Sequence, residues 1–120
     1  MAKLHKNLKI WLKNKKVAME MGKWQVYQKH KKTDRRYHVG SVADFVYSYE
    51  HPEYLHMILK IRADSNKKSG WRKRGYVYKL TYMTTRAKDG NVVNGQRPPV
   101  MGAGCYYSLM EKAKEHKFLR

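Results

Sequence analysis

The chain has 120 residues, a length typical of one domain, and its 42% share of hydrophobic residues excludes a disordered polyelectrolyte. Lys and Arg number 27 against 9 Asp and Glu, so the formal net charge is +18 at pH 7, whereas a charge of about 2 to 8 suffices to keep a small domain soluble. We therefore expect one compact basic domain, residues 1–120, with an acidic partner: nucleic acid as the commonest such partner, and an acidic protein surface as the alternative.

The first element expected is an amphipathic helix over residues 3–14. Its apolar face consists of four side chains at helical spacing: Leu4, Leu8, Trp11 and Leu12. Three lysines that are candidate phosphate contacts fall on the opposite face: Lys6, Lys9 and Lys13. Lys15 would fall on the apolar face, so the pattern predicts that the helix ends near Asn14. Such a helix can pack in the core through one face and meet phosphate with the other.

Residues 24–28, WQVYQ, predict a short strand, and a basic loop follows it. The candidate phosphate contacts in this loop are five side chains: Lys29, Lys31, Lys32, Arg35 and Arg36. A short helix is then expected over residues 42–50, because Ser41 and Asp44 have the spacing of a capping box. Its apolar side chains also have helical spacing: Val42, Phe45, Val46 and Tyr49.

Two longer strands are predicted over residues 54–63 and 75–85, where apolar and polar side chains alternate. They are expected to be antiparallel neighbours joined by an exposed loop. Candidate nucleic-acid contacts crowd this loop: Lys67, Lys68, Trp71, Arg72, Lys73 and Arg74. Cations neutralise phosphates, an exposed Trp can stack on a base, and a two-stranded ribbon fits the major groove of a duplex. The alternative is a solvated loop whose Trp71 folds back onto the protein.

The second of these strands carries three tyrosines on one face: Tyr76, Tyr78 and Tyr82. The pattern favours core packing of these rings over a base-stacking platform. Asp89-Gly90 and Asn94-Gly95 are turn signals around a further brief strand at residues 92–93.

The last element expected is a C-terminal helix that begins near Ser108, because Ser108 and Glu111 form a second capping box. The backbone amides of residues 102–105, GAGC, could receive an anion ahead of it. The predicted fold class is therefore α+β: a small antiparallel sheet of three to four strands, including the long basic hairpin, packed with two or three helices.

The cysteine count and the composition of the N-terminal segment indicate the cellular compartment in which the protein is expected. Cys105 is the single cysteine, which excludes an internal disulfide and fits a reducing compartment. The N-terminal segment lacks the uninterrupted apolar stretch of a signal peptide, and no run of about 18 apolar residues occurs. We expect an intracellular protein, cytoplasmic or associated with nucleoid or nucleus, without a membrane partner.

No catalytic motif is recognised in the sequence. A metal-dependent nuclease needs clustered carboxylates or histidines, and the densest acidic patch contains only Glu50, His51 and Glu53. We therefore expect a non-enzymatic nucleic-acid-binding protein that uses no cofactor and no metal. A basic interaction or inhibitor protein that docks on an acidic protein surface is the alternative, and a metal-dependent nuclease is a third interpretation.

Overall fold

A five-stranded antiparallel sheet with two helices organises the chain. The structure, a computed structural model, describes residues 3–29, 32–63, 75–85, 89–95 and 100–118. Its elements in chain order are α1 (Lys6–Glu20), β1 (Gln25–Lys29), β2 (Arg36–Ser48), β3 (Tyr54–Ala63), β4 (Tyr76–Thr84), β5 (Val93–Asn94) and α2 (Ala103–Glu115). The α+β class is confirmed, and the sheet has one strand more than the upper expected number. Among the described residues, no helix has the length and apolar character to cross a membrane.

The sheet is a meander in which each strand pairs with the next, in the order β1-β2-β3-β4-β5. Consecutive connections in a meander alternate between the two ends of the sheet. The β1–β2 and β3–β4 connections therefore lie at the same end, where Lys29 faces Arg36 and Arg62 faces Tyr76. We call this the basic end. The β2–β3 turn, residues 49–53, lies at the far end.

The two helices pack against opposite faces of the sheet. On one face, Leu8 of α1 joins a core that includes Phe45, Met57 and Ile61. On the other, Leu109 of α2 packs with Val46 and Ile58. Leu8 and Leu109 are fully buried, so each face of the sheet has its own hydrophobic cluster, as the alternation of side chains along a strand requires.

Residues 42–48 form part of β2, so the helix expected over 42–50 is wrong. A β-bulge interrupts the register with β3 between Val42 and Asp44. The extra residue brings Val42 and Phe45 to the same face of the sheet, with a spacing of three that imitates a helix. Asp44, the proposed capping residue, lies within the strand.

Helix α1 continues to Glu20, six residues beyond the predicted end at Asn14. Lys15 does fall on the buried side, but its ammonium group lies 5.8 Å from the ring centroid of Trp11 and 5.4 Å from that of Trp24. Cation–π attraction compensates for partial burial of the charge, so Lys15 does not end the helix.

Helix α2 begins at Ala103 rather than near Ser108, and its cap comes from a distant residue. The carboxylate of Glu50 accepts hydrogen bonds from the backbone N–H of Gly102 (3.1 Å) and of Cys105 (3.0 Å). The anion expected ahead of this helix is therefore a side chain of the protein itself, and it lies 52 residues upstream of Gly102.

His56 is buried at the far end of the sheet, between α2 and β4. Its ring lies 5.8 Å from that of Tyr82, and its Nδ1 is 3.9 Å from the Sγ of Cys105. Burial lowers the pKa of His56 below its ordinary value of 6.5, and this lowering outweighs the opposing effects of a hydrogen bond with the Val100 backbone and of the Glu50 charge. The neutral imidazole is thus the form that fits the folded protein.

Folding stability should accordingly fall when the pH drops below about 6.5. Below that pH the unfolded chain takes up a proton at His56 that the folded chain resists until its own lower pKa is reached. Urea unfolding at about pH 7.5 and 5.5 measures the loss, and His56→Gln, which does not titrate, should lose less than the parent. The exposed His51 supplies the control. If His51→Gln reduces the acid sensitivity as much as His56→Gln, the explanation is wrong.

Candidate nucleic-acid interface

The meander brings the two basic segments of the sequence to the same end of the sheet. Residues 29–36 connect β1 to β2 and contain five Lys and Arg against one Asp, while residues 60–74 run from β3 toward β4 and contain seven against one. Lys29 opposite Arg36 and Arg62 opposite Tyr76 mark the strand ends from which the two connections leave. The sequences of the two segments together contain twelve of the 27 Lys and Arg.

The described cations of the first segment are exposed: Lys29, Lys32, Arg35 and Arg36. Asp34, between them, adopts a positive φ of 56°, a conformation that Asp tolerates well in turns. The guanidinium carbon of Arg36 lies 4.9 Å from the centroid of the Tyr27 ring. Predicted contact residues that lie outside the described residues are Lys31, Lys67, Lys68, Trp71, Arg72, Lys73 and Arg74.

Two of the tyrosines predicted to lie in the core are exposed instead. Tyr76 retains 39% and Tyr78 retains 48% of its accessible surface, and Tyr82 is half-buried. The core side of β4 is the opposite one, where Met83 is buried and Val77 packs against the α1-side cluster. The tyrosine face belongs to the side on which α2 packs, and Phe118, which follows α2 in the chain, lies 5.5 Å from Tyr78.

Two cations of β3 flank the exposed rings. The Nζ of Lys60 lies 4.4 Å from the centroid of Tyr76, and the guanidinium carbon of Arg62 lies 5.9 Å from it. Nη2 of Arg62 donates to the Tyr76 hydroxyl at 3.5 Å. The register explains this grouping, because Lys60 is opposite Tyr78 and Arg62 is opposite Tyr76. We call these four residues the Tyr76 patch.

The Tyr76 patch is continuous with the basic loop by chain connection. At the base of the loop, the backbone N–H of Ala63 donates to the carbonyl of Gly75 at 2.9 Å, and Gly75 adopts a positive φ of 83° that suits a glycine. The patch therefore places two cations beside exposed aromatic rings at the base of the loop. That combination is the one used by proteins that hold single-stranded nucleic acid.

A second basic and aromatic site lies on the opposite face of the sheet, as a cavity of about 240 Å³. Three cations from three elements line it: Lys15 of α1, Arg36 of β2 and Lys79 of β4. Trp11 and Trp24 form part of the wall, and no acidic side chain occurs among the described residues that line it. An anionic group would relieve the mutual repulsion of these cations, and Arg36 links the cavity to the basic end.

The N-terminal lysines predicted as contacts are not brought to the basic end. The backbone N–H of His5 donates to the Pro52 carbonyl at 2.9 Å, so α1 starts at the far end of the sheet. Lys6 and Lys9 belong to its first turns and are exposed there. Lys13 lies further along α1 and lines a different groove, between the two helices.

The acidic patch of the sequence is occupied with structural contacts. Glu50 caps α2, and the Nδ1 of His51 accepts a hydrogen bond from the backbone N–H of Glu53. In the part of the chain that the structure describes, no group of three or more His, Cys, Asp or Glu side chains is placed to hold a metal ion.

The contributors that sequence reasoning missed are Lys15, Lys60, Arg62 and Lys79. For Lys60 and Arg62 the signal is the alternation of residues 54–63, which puts both on the side opposite the apolar residues Leu55, Met57, Leu59 and Ile61. What the sequence alone did not supply was the register with β4 that sets Tyr76 and Tyr78 beside them.

No family model, curated protein or solved structure matches this chain. Its function is therefore inferred from its own residues and geometry.

Proposed function

We propose that the protein binds nucleic acid through its basic end and performs no reaction on it. Phosphate binding by Lys and Arg supplies most of the affinity of such proteins and does not depend on sequence. The net charge of +18 favours a polyanionic ligand, and the role requires neither cofactor nor metal.

The single observation that carries the proposal is that the β1–β2 and β3–β4 strand pairs, whose connecting sequences are both basic, end at the same end of the meander. If the charge served only solubility, clustering the cations at one end would bring no benefit, because like charges that lie close together repel one another. A polyanion converts that repulsion into binding free energy through counterion release.

The Tyr76 patch favours a single-stranded or unpaired ligand over a continuous duplex. Bases stack on exposed aromatic rings only where they are not already stacked in a helix, and each such contact contributes about 1 to 3 kcal/mol. Exposed Tyr76 and Tyr78 lie beside the Lys60 and Arg62 cations that would hold the backbone.

The test is Tyr76→Ala, with binding measured by fluorescence anisotropy on a single-stranded oligonucleotide and on a duplex of the same sequence. We expect affinity for the single strand to fall fivefold or more, from the lost stacking, and affinity for the duplex to change less. Tyr107→Ala is the matched control, because Tyr107 is 64% exposed but belongs to α2 near its far-end cap. Equal effects of the two substitutions, or no effect of Tyr76→Ala on the single strand, would contradict the assignment of the patch.

A further inference from the structure

The second half of β2 is an open strand edge. Strand β1 pairs with β2 only along residues 36–41, whereas β3 pairs with it as far as Ser48. Beyond the bulge between Val42 and Asp44, residues 44–48 therefore have a partner strand on one side only among the residues that the structure describes. Exposed strand edges are natural templates for an added strand.

The outward backbone groups of this edge are held by side chains. The N–H of Phe45 donates to Oδ1 of Asp44 at 2.8 Å, and the carbonyl of Tyr47 accepts from Nζ of Lys112 at 2.7 Å. In an antiparallel strand the N–H and C=O of one residue point to the same side. Phe45 and Tyr47 thus direct both of their backbone groups outward, at the spacing of two that a ladder uses. Side-chain partners of this kind can be exchanged for the backbone of another strand.

The edge forms the floor of a groove between the two helices. The groove has a volume of about 600 Å³. Its described lining residues are Leu12, Lys13, Lys16 and Met19 of α1, Asp44, Phe45, Val46 and Tyr47 of β2, and Lys112, Glu115 and His116 of α2. The four floor residues correspond to roughly 13 Å of extended chain, so the groove suits a short peptide segment in strand conformation.

The charge of the groove identifies the chemistry of its occupant. Lys13 and Lys16 approach from α1 and Lys112 from α2, while Oδ2 of Asp44 lies at hydrogen-bond distance, 2.9 Å, from Nδ1 of His116. Glu115 is the other acidic side chain among the described lining residues. A second copy of this chain would add its own charge of +18 to the same site, which opposes self-association.

We propose that the groove receives an extended acidic segment of a partner protein, which pairs with Phe45 and Tyr47 as an added strand of the sheet. Main-chain hydrogen bonds supply affinity in this mode of recognition and alternate side chains supply specificity. Acidic side chains of the segment meet Lys13, Lys16 and Lys112, and apolar ones meet Leu12, Met19 and Phe45. The site is separate from the basic end, so the inference does not depend on nucleic-acid binding.

The experiment uses the full chain and a fluorescein-labelled peptide in which Glu alternates with Val, with anisotropy as the readout. A second peptide of the same sequence carries N-methyl groups on alternate backbone nitrogens, which removes its ladder donors and keeps its charge. We expect the unmodified peptide to bind at least tenfold more tightly. Equal binding of the two peptides means attraction by charge alone and overturns the proposal.

A charge-reversal pair locates the site. Lys16→Glu should weaken binding of the unmodified peptide about five- to tenfold, since an attraction becomes a repulsion. Lys9→Glu, on the same helix but outside the groove lining, should change it little. Equal losses from the two variants would overturn the assignment to this groove.

Amide hydrogen exchange identifies the occupant. The peptide should slow exchange at Phe45 and Tyr47, whose N–H groups face the groove. Slowing of the same amides by an oligonucleotide and not by the peptide would assign the groove to nucleic acid and overturn the proposal. Slowing by increased protein concentration alone would assign it to a second copy, with the same consequence.

Discussion

Affinity for nucleic acid is expected to fall by about 10³- to 10⁵-fold when the salt concentration rises from about 50 to 200 mM. The reason is counterion release: each cation that neutralises a phosphate frees a condensed ion. In a plot of log affinity against log salt, binding by roughly eight cations gives a slope of about −6 on a single strand and about −7 on a duplex. The two segments of the basic end contain twelve Lys and Arg, enough for that number. Filter binding across a salt series measures the slope directly, and a flat series would refute phosphate-driven binding.

Two double variants separate the basic end from the N-terminal helix. Arg72→Ala with Arg74→Ala should reduce the steepness of the salt slope by about 2 and weaken binding to all sequences alike, because phosphate contacts do not read bases. Lys6→Ala with Lys9→Ala removes the same charge from the far end of the molecule and should leave the slope nearly unchanged. If the second pair matches the first, the charge acts through the whole molecule and the basic end has no special role.

Removal of the Glu50 carboxylate is expected to lower the free energy of unfolding by about 2 kcal/mol. Glu50→Ala leaves the N–H groups of Gly102 and Cys105 without their acceptor and deletes a negative charge at the positive end of the α2 dipole. The capping contact also requires a glycine at position 102. A β-carbon there would lie 2.6 Å from Oε1 of Glu50, so a side chain would displace the carboxylate. Urea unfolding followed by circular dichroism measures the effect.

Glu111→Ala is the control for the helix cap, since Glu111 is exposed within α2 and the substitution removes the same charge without touching the cap. It should change the free energy of unfolding by less than about 0.5 kcal/mol. Glu50→Gln retains an acceptor oxygen but loses the charge, and it should fall between the two. Glu50→Ala and Glu111→Ala with the same stability would show that the cap is not needed to hold α2.

Strands whose pattern is regular could be predicted from the sequence almost to the residue. Residues 54–63 alternate without a bulge and form β3 with those bounds, and residues 75–85 contain β4. Their antiparallel pairing followed from the basic, Gly-containing loop between them, and it is confirmed. In these two segments the alternation of apolar and polar side chains indicates a strand, and the packing of the sheet buries the same apolar side of β3.

Elements that depend on distant partners could not be predicted. The β-bulge in β2 shifts the phase of the side chains, and nothing local distinguishes that shift from a helical spacing. The start of α2 depends on Glu50, far away in the chain, and the length of α1 depends on Trp24, which lies beyond the helix. In all three cases the prediction used only residues that are neighbours in the sequence, whereas the element is determined by a contact between residues that are far apart in the chain.

The composition of the sequence predicts the charge of the candidate site, and the structure adds its geometry. Charge runs select residues 29–36 and the loop before β4 as candidate contact segments, and their role in binding stays a prediction. The exposure of Tyr76 and Tyr78 was not foreseen, because β4 carries its larger apolar side chains on the side that α2 covers incompletely. Which face of a strand is buried depends on where a helix lies, and α2 comes from the other end of the sequence.

The placement of charge in the meander also bears on how quickly a complex can form. The sequences of the two connections at the basic end contain twelve Lys and Arg, whereas at the far end Lys6 and Lys9 are offset by Glu50 and Glu53. This uneven distribution gives the molecule an electric dipole moment in addition to its net charge. In the field of a polyanion such a molecule rotates before contact, so that collisions occur with the basic end forward. A larger share of collisions then leads to binding, which raises the association rate constant. Added salt shortens the Debye length and so reduces this gain.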